Sequence, residues 1–225
     1  MSDFREVSSK LRAVIFDLWD TLVLYDVEHS RAMERRIAER LGADPDQFHR
    51  VWRESRSERD GGSLADSFRS VGATDELLPE LLELRRNAFR EVAVPQDGAL
   101  ETLRELRGRG FRLGIISVCS EEVAELWEET AFAGLFDSTV FSCSVGLRKP
   151  DPAIYRLALD ELGVEPAEAM FVGDGANDEL AGAQRVGMRA VLILRPEQDE
   201  PYWEDARGWQ PRIHLIPEVL ELLDE

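Results

Sequence analysis

The amino-acid sequence predicts an α/β fold in which a doubly wound, mainly parallel sheet carries a small all-helical second domain, and three observations point to it. Short apolar, β-branched runs at 12–17, 112–117, 169–173 and 189–194 alternate with segments of helical periodicity, the pattern of a parallel sheet covered by helices on both faces. Two of these runs lead straight into carboxylates, Asp17 and Asp174, at the strand ends where the loops of an open α/β sheet form a crevice. Residues 26–93 break the alternation with helical patterns only, too long for an ordinary crossover. The expected organisation is an α/β core of residues 1–25 and 94–225 interrupted by a helical domain at 26–93.

The elements follow in order. The first strand is expected over about 12–17, and helical patterns come near 27–41, 45–57 and 79–92, with Gly61-Gly62 interrupting the middle. Ala99, Leu100, Leu103 and Leu106 repeat at helical spacing, and Gly108 with Gly110 ends that helix. Arg112–Ser117 reads as a second buried strand, followed by a helix over about 121–130 and a short strand near 139–142. In Pro150-Asp151-Pro152, Asp151 is placed to cap a helix and Pro152 takes the first position, where a missing N–H costs nothing. Ile154, Leu157, Ala158 and Leu162 give that helix its buried face. Two further strands, at Ala169–Gly173 and 189–194, flank another helix. Residues 195–212, rich in acids, proline and aromatics, read as a loop, and 213–224 as a short strand and helix.

With 225 residues and 44% hydrophobic content, the chain can bury one substantial core and a small second one. No apolar run approaches the roughly 18 to 20 residues that span a membrane. The opening Met-Ser-Asp-Phe-Arg-Glu lacks the basic-then-apolar pattern of an export signal. Two cysteines, Cys119 and Cys143, make no disulfide framework, so a reducing cytoplasm is the expected location. A net charge of −18 argues against a nucleic-acid partner, since a polyanion is repelled at long range. Only Lys10 and Lys149 are lysines among many arginines, which singles out Lys149 inside Gly146-Leu147-Arg148-Lys149-Pro150.

A carboxylate at the end of a buried strand is a ready nucleophile, and Asp17 holds that position with Thr21 four residues on. In Phe171-Val172-Gly173-Asp174-Gly175-Ala176-Asn177-Asp178 two acids four apart, flanked by glycines, suit a hard divalent cation with oxygen ligands. Ser117 closes the apolar run Gly114-Ile115-Ile116, where its hydroxyl and the Val118 N–H can hold a substrate oxygen.

Together these four segments resemble, in order, the four motifs of the haloacid dehalogenase-like hydrolases, and the resemblance covers essentially the whole chain. It implies a Rossmann-like core with a helical cap inserted after the first motif. It implies Asp17 as attacking carboxylate, with Thr21, Ser117 and Lys149 as further catalytic residues. Magnesium would be held by Asp17, the backbone carbonyl of Trp19 and Asp174, with Asp178 adjacent. The partner expected is a small anionic substrate, foremost a phosphorylated metabolite, and the chain would act as a monomer or homodimer.

The usual first motif, Asp-x-Asp-Gly-Thr, is altered here: Trp19 replaces the second Asp, the usual general acid and base, and Asp20 replaces the Gly. Three readings stay open at this stage. The first is a magnesium-dependent phosphatase with slow or relocated proton transfer. The others are a dehalogenase-like hydrolase, whose halide leaves without a proton, and a binding or regulatory relative. Asp20 is a candidate substitute acid, although one position along the loop alters its direction. The arginines at 31, 35, 36, 53, 56 and 59 are read as solvated helix faces, although they can also grip an anionic end of a substrate. Trp203 and Trp209 are read as packing residues, with contact at the active-site mouth as the alternative, and Cys119 as a small buried filler. His29, His49 and His214 show no ligand spacing and receive no role.

Overall fold

The computed structural model describes residues 10–223. The opening Met1–Glu6 read for an export signal therefore lies outside the described residues, as does the last residue of the expected 213–224 segment. The chain runs from strand β1 (Ala13–Phe16) through helices α1 (Val27–Leu41), α2 (Pro45–Glu54), α3 (Arg56–Arg59), α4 (Leu64–Ser70), α5 (Leu78–Val92) and α6 (Ala99–Gly108). It continues through β2 (Arg112–Ser117), α7 (Glu121–Glu125), β3 (Ser138–Phe141), α8 (Ser142–Val145) and α9 (Pro152–Leu162). The last elements are β4 (Ala169–Gly173), α10 (Glu179–Val186), β5 (Arg189–Ile193) and β6 (Arg212–Ile213).

All six strands form one parallel sheet in the order β3-β2-β1-β4-β5-β6. β1 is central and buried on both faces, so its residues alternate between two cores. Val14 and Phe16 join the cluster built with α6 and Trp127, while Ala13 and Ile15 join the one built with α9 and α10. Phe16 is registered against Ile115 of β2 and Val172 of β4, and the next residue, Asp17, donates its N–H to the Val172 carbonyl at 2.9 Å. The chain builds outward from β1 through β2 to β3 and then crosses back to β4 on the other side of β1, and this reversal of strand order opens a crevice at the carboxyl ends of β1 and β4.

The expected helix at 121–130 is broken: α7 ends at Glu125 and a 3-10 turn, Trp127–Glu129, follows. Trp127 turns inward there to stack on Phe132 at 5.6 Å between centroids. The segment at 213–224 begins one residue earlier as β6 and closes as a 3-10 helix, Ile216–Leu223.

Residues 27–92 hold five helices and a hydrophobic cluster of their own. Asp26 and Asp44 cap α1 and α2 by accepting the N–H of His29 and Gln47. Trp52 lies at the centre, stacked between Phe48 at 5.3 Å and Phe68 at 5.0 Å. A three-ring stack contributes a large apolar area from few residues, which gives so short a helical insertion a core. No helix among the described residues is long and apolar enough to cross a membrane.

Candidate active site

The crevice at the strand ends opens into a cavity of about 680 Å³ between the sheet and the helical insertion. Asp17, Lys149 and Asp174 all line it. Lys149 is 4% exposed, and its ammonium donates to Asp17 Oδ1 and to Glu179 Oε2, each at 2.5 Å. Burial opposes the ammonium charge, but Asp17 and Glu179 outweigh it and raise the Lys149 pKa.

Glu179 is the acid that sequence reasoning missed. It opens α10 fully buried, with Oε1 accepting the Gly175 N–H at 3.0 Å. Gly173 makes this possible, because a Cβ there would collide with the Glu179 carboxylate. Asp178, expected beside the metal, turns outward and pairs with Arg185 at 2.9 Å. The reason is local: Asn177 and Asp178 both have left-handed backbone, φ 55° and 54°, which rotates the chain so that the next residue faces inward. The available signal was the third residue of the run Asn177-Asp178-Glu179.

Asp174 accepts the Ala176 N–H at 3.0 Å on Oδ1 and the indole N–H of Trp203 at 2.8 Å on Oδ2. Trp203 is thus more than a packing residue: the 195–212 loop folds back over the strand ends and places its indole in the site. Trp209 does pack, donating to the Ala190 carbonyl at 3.2 Å. Burial and the negative charge of Asp17 push the Asp174 pKa up to about 6.

Asp17, Asp174 and Glu179 offer oxygens within 4.8 Å of one another. Three carboxylates face one ammonium, an excess of two negative charges that a divalent cation matches. The donors are hard oxygens of the kind magnesium takes. Asp17 and Asp174 line the cavity whereas Glu179 is fully buried behind it, which makes the first two the carboxylates able to reach a cation. Among the described residues the Trp19 carbonyl accepts no hydrogen bond, so it too is free.

Ser117 and Thr21 are fully buried, and their hydroxyls have no partner among the described residues. Ser117 ends β2 beside Val118, which lines the cavity. Cys119, on the same wall, has its thiol pKa pushed well up by burial, as suits a filler. The side chain of Trp19 packs edge-on against Tyr25 at 6.0 Å and against Phe89 of α5 at 6.1 Å, joining the strand-end loop to the insertion. Asp20 adopts φ 54°, the left-handed conformation that suits Gly and that Asp tolerates. Its carboxylate is held by Arg195, which also donates to the Tyr25 carbonyl at 3.0 Å.

On the opposite wall Arg59 is buried and Arg31 half-buried, against the reading of the arginines as solvated faces, while Arg53 and Arg56 are exposed as expected. Arg31, Arg53, Arg56 and Arg59 line the cavity together with Arg85, whereas Arg35 and Arg36 are exposed as expected. Arg59 is only 7% exposed. His49 lies on this wall with its Nδ1 2.5 Å from Glu34, and its Nε2 is buried without a partner among the described residues.

Comparison with known proteins agrees with this arrangement. The family model for haloacid dehalogenase-like hydrolases matches residues 11–187. A glyceraldehyde 3-phosphate phosphatase of Methanothermobacter thermautotrophicus is 30% identical over 198 residues, 81% of this chain and 85% of that protein. An (S)-2-haloacid dehalogenase 4A of Burkholderia cepacia is 30% identical over 227 residues, 94% of this chain and 93% of that protein. The crystal structure of a dehalogenase superposes with a TM-score of 0.65 at 26% identity, covering 100% of both chains. For other relatives the match spans about half (49%) of their own length. A catalytic-type carboxylate, lysine and acid pair at the ends of parallel strands, and the match over most of the chain, have one joint meaning: this chain belongs to the haloacid dehalogenase-like hydrolases.

Proposed function

We propose that this hydrolase is a magnesium-dependent phosphatase that acts on a small phosphorylated molecule through an aspartyl phosphate on Asp17, with the helical insertion serving as cap. The carrying observation is the acid pair at the strand ends: Asp17 and Asp174 lie together with only one ammonium to balance them and Glu179. That excess charge suits a cation, and a cation suits a phosphoryl group. Asp17, the Trp19 carbonyl and Asp174 would hold magnesium, which when bound supplies charge neutralisation at the phosphoryl oxygens.

Asp17 is the attacking group, because it lines the cavity with only one of its oxygens tied down by Lys149. Its carboxylate forms a bond to phosphorus as the bond to the leaving oxygen breaks. Water then attacks the aspartyl phosphate, releasing phosphate and regenerating Asp17. Lys149 offsets the negative charge gathered there, and the Ser117 hydroxyl, without a hydrogen-bond partner among the described residues, is free to donate to a phosphoryl oxygen. The indole N–H of Trp19 is far too weak an acid to protonate a leaving alkoxide, and the ring has no basic lone pair to take a proton from water. Asp20 does not replace it, since Arg195 holds its carboxylate. Turnover is therefore biased toward phosphates whose leaving group departs unprotonated.

Trp19 also favours a second reading. A halide needs no proton, and the Burkholderia cepacia dehalogenase matches nearly the whole chain. Aryl phosphate hydrolysis with magnesium and with EDTA, run beside chloride release from 2-chloropropionate, separates the two. Magnesium-dependent release of phenol supports the phosphatase; metal-independent chloride release with no phenol supports the dehalogenase.

A further inference from the structure

The two walls of the cavity have opposite electrostatic deficits. On the sheet side, carboxylates exceed cations. On the insertion side, guanidiniums exceed their acids. Arg59 Nη1 donates to the Trp52 carbonyl and to Ser55 Oγ, and its guanidinium lies 4.0 Å from the Trp52 ring centre. Among the described residues no carboxylate forms an ion pair with it. Its neighbour Asp60 is taken by Arg56 at 3.3 Å and Arg148 at 3.8 Å. Arg85 has its acid in Glu122, and Glu34 is engaged with His49.

The side chains of Arg31, half-buried on α1, and Arg53, exposed on α2, make no hydrogen bond or ion pair with any described residue, yet both line the cavity. Burial, and then the like charge of Arg85, lower the Arg59 pKa to about 10. The charges of Asp60 and Glu122 offset this only in part, and neither acid forms an ion pair with Arg59, so this wall can still take an anion.

We propose that the substrate carries a second anionic group, a carboxylate or phosphate remote from the phosphoryl group, and that Arg31, Arg53 and Arg59 bind it on the insertion wall. The inference rests on the phosphatase reading and narrows its substrate class. One ligand then meets both deficits, with its phosphoryl end at Asp17 and its remote anion on the arginines. The guanidinium fork matches either anion in a way that a hydroxyl or an alkyl chain does not. A cavity of about 680 Å³ accommodates a metabolite-sized molecule that spans it.

The test is calorimetry on the full-length, magnesium-loaded protein. A series of ω-phosphonocarboxylates with one to four carbons between the groups is compared with alkylphosphonates of the same length. At least one phosphonocarboxylate is expected to bind tenfold or more tightly than its alkyl counterpart. Arg31→Gln and Arg53→Gln should each weaken that ligand at least fivefold more than the alkylphosphonate. These two sites are chosen because Arg59, being buried, risks the fold when replaced. Alkylphosphonates that bind with no gain from the carboxylate, or a gain untouched by both variants, overturn the inference and leave the phosphatase reading intact. Binding of neither series removes the phosphatase reading and the inference with it.

Discussion

The two walls of the cavity are built by different rules. The sheet wall places Asp17, Lys149, Asp174 and Glu179 at the ends of buried strands or the starts of helices, with each position fixed by parallel register and short hydrogen bonds. The insertion wall presents long arginine side chains from α1, α2 and α3, two of them without a side-chain partner among the described residues. The first arrangement suits chemistry, which needs reacting groups held to fractions of an ångström. The second suits recognition, since a guanidinium on a flexible stem can adapt to the far end of a ligand. The comparison teaches that rigidity and charge are apportioned by task, with excess negative charge on the rigid wall and excess positive charge on the adaptable one.

The largest effect expected from breaking the comparison is at the rigid wall. Asp17→Asn should lower turnover by at least about 1,000-fold, because it removes the nucleophile, while thermal unfolding stays cooperative. Retention of a tenth of wild-type activity would show that the nucleophile lies elsewhere.

The excess negative charge of that wall should also register in stability. Asp174 has its pKa raised to about 6 in the folded protein, above its usual value of 3.8, so its ionisation opposes folding in the absence of metal. Its contribution is most favourable below pH 4 and is lost as pH rises through about 6. In EDTA at pH 7.5, Asp174→Asn should therefore be more stable than wild type, by up to about 3 kcal/mol from a shift of roughly two pKa units. The gain should vanish near pH 4, and the same variant should bind magnesium more weakly. Denaturant melts across this range check the sign, and a pH-independent difference would contradict the charge-crowding account.

A smaller effect sharpens the link between the 195–212 loop and the rigid wall. Trp203→Phe keeps an aromatic ring, smaller than the indole, but removes the N–H donated to Asp174, an exchange worth about 1.5 to 3 kcal/mol for a bond to a charged group. Magnesium affinity should shift about fivefold or more with the fold retained. Unchanged affinity would return Trp203 to the packing role its sequence context suggested.

Much of the rigid wall was legible in the sequence because its information is local. A run such as Val14-Ile15-Phe16 predicts a buried strand, and the acid that follows is positioned by the strand itself. Lys149 stood out as one of only two lysines in the chain, just before the proline-marked start of α9. The error of one residue between Asp178 and Glu179 came from two left-handed residues in succession, which alternation and spacing do not encode. The insertion wall was legible only as helices. Whether Arg53 faces solvent or a cavity depends on how α2 sits over the sheet, and Trp203 reaches Asp174 only because its loop folds back across the strand ends.

The central claim, that Asp17 carries a phosphoryl group and that Trp19 leaves its hydrolysis without a proton shuttle, is tested most directly by rapid-quench kinetics with an aryl phosphate and magnesium. Leaving group should appear in a burst stoichiometric with enzyme and followed by slower turnover. Mass spectrometry of the acid-quenched protein should find the phosphoryl group on Asp17. Alkyl phosphates should react more slowly than aryl ones. Equal rates on both, with no burst and no adduct at Asp17, would contradict the account.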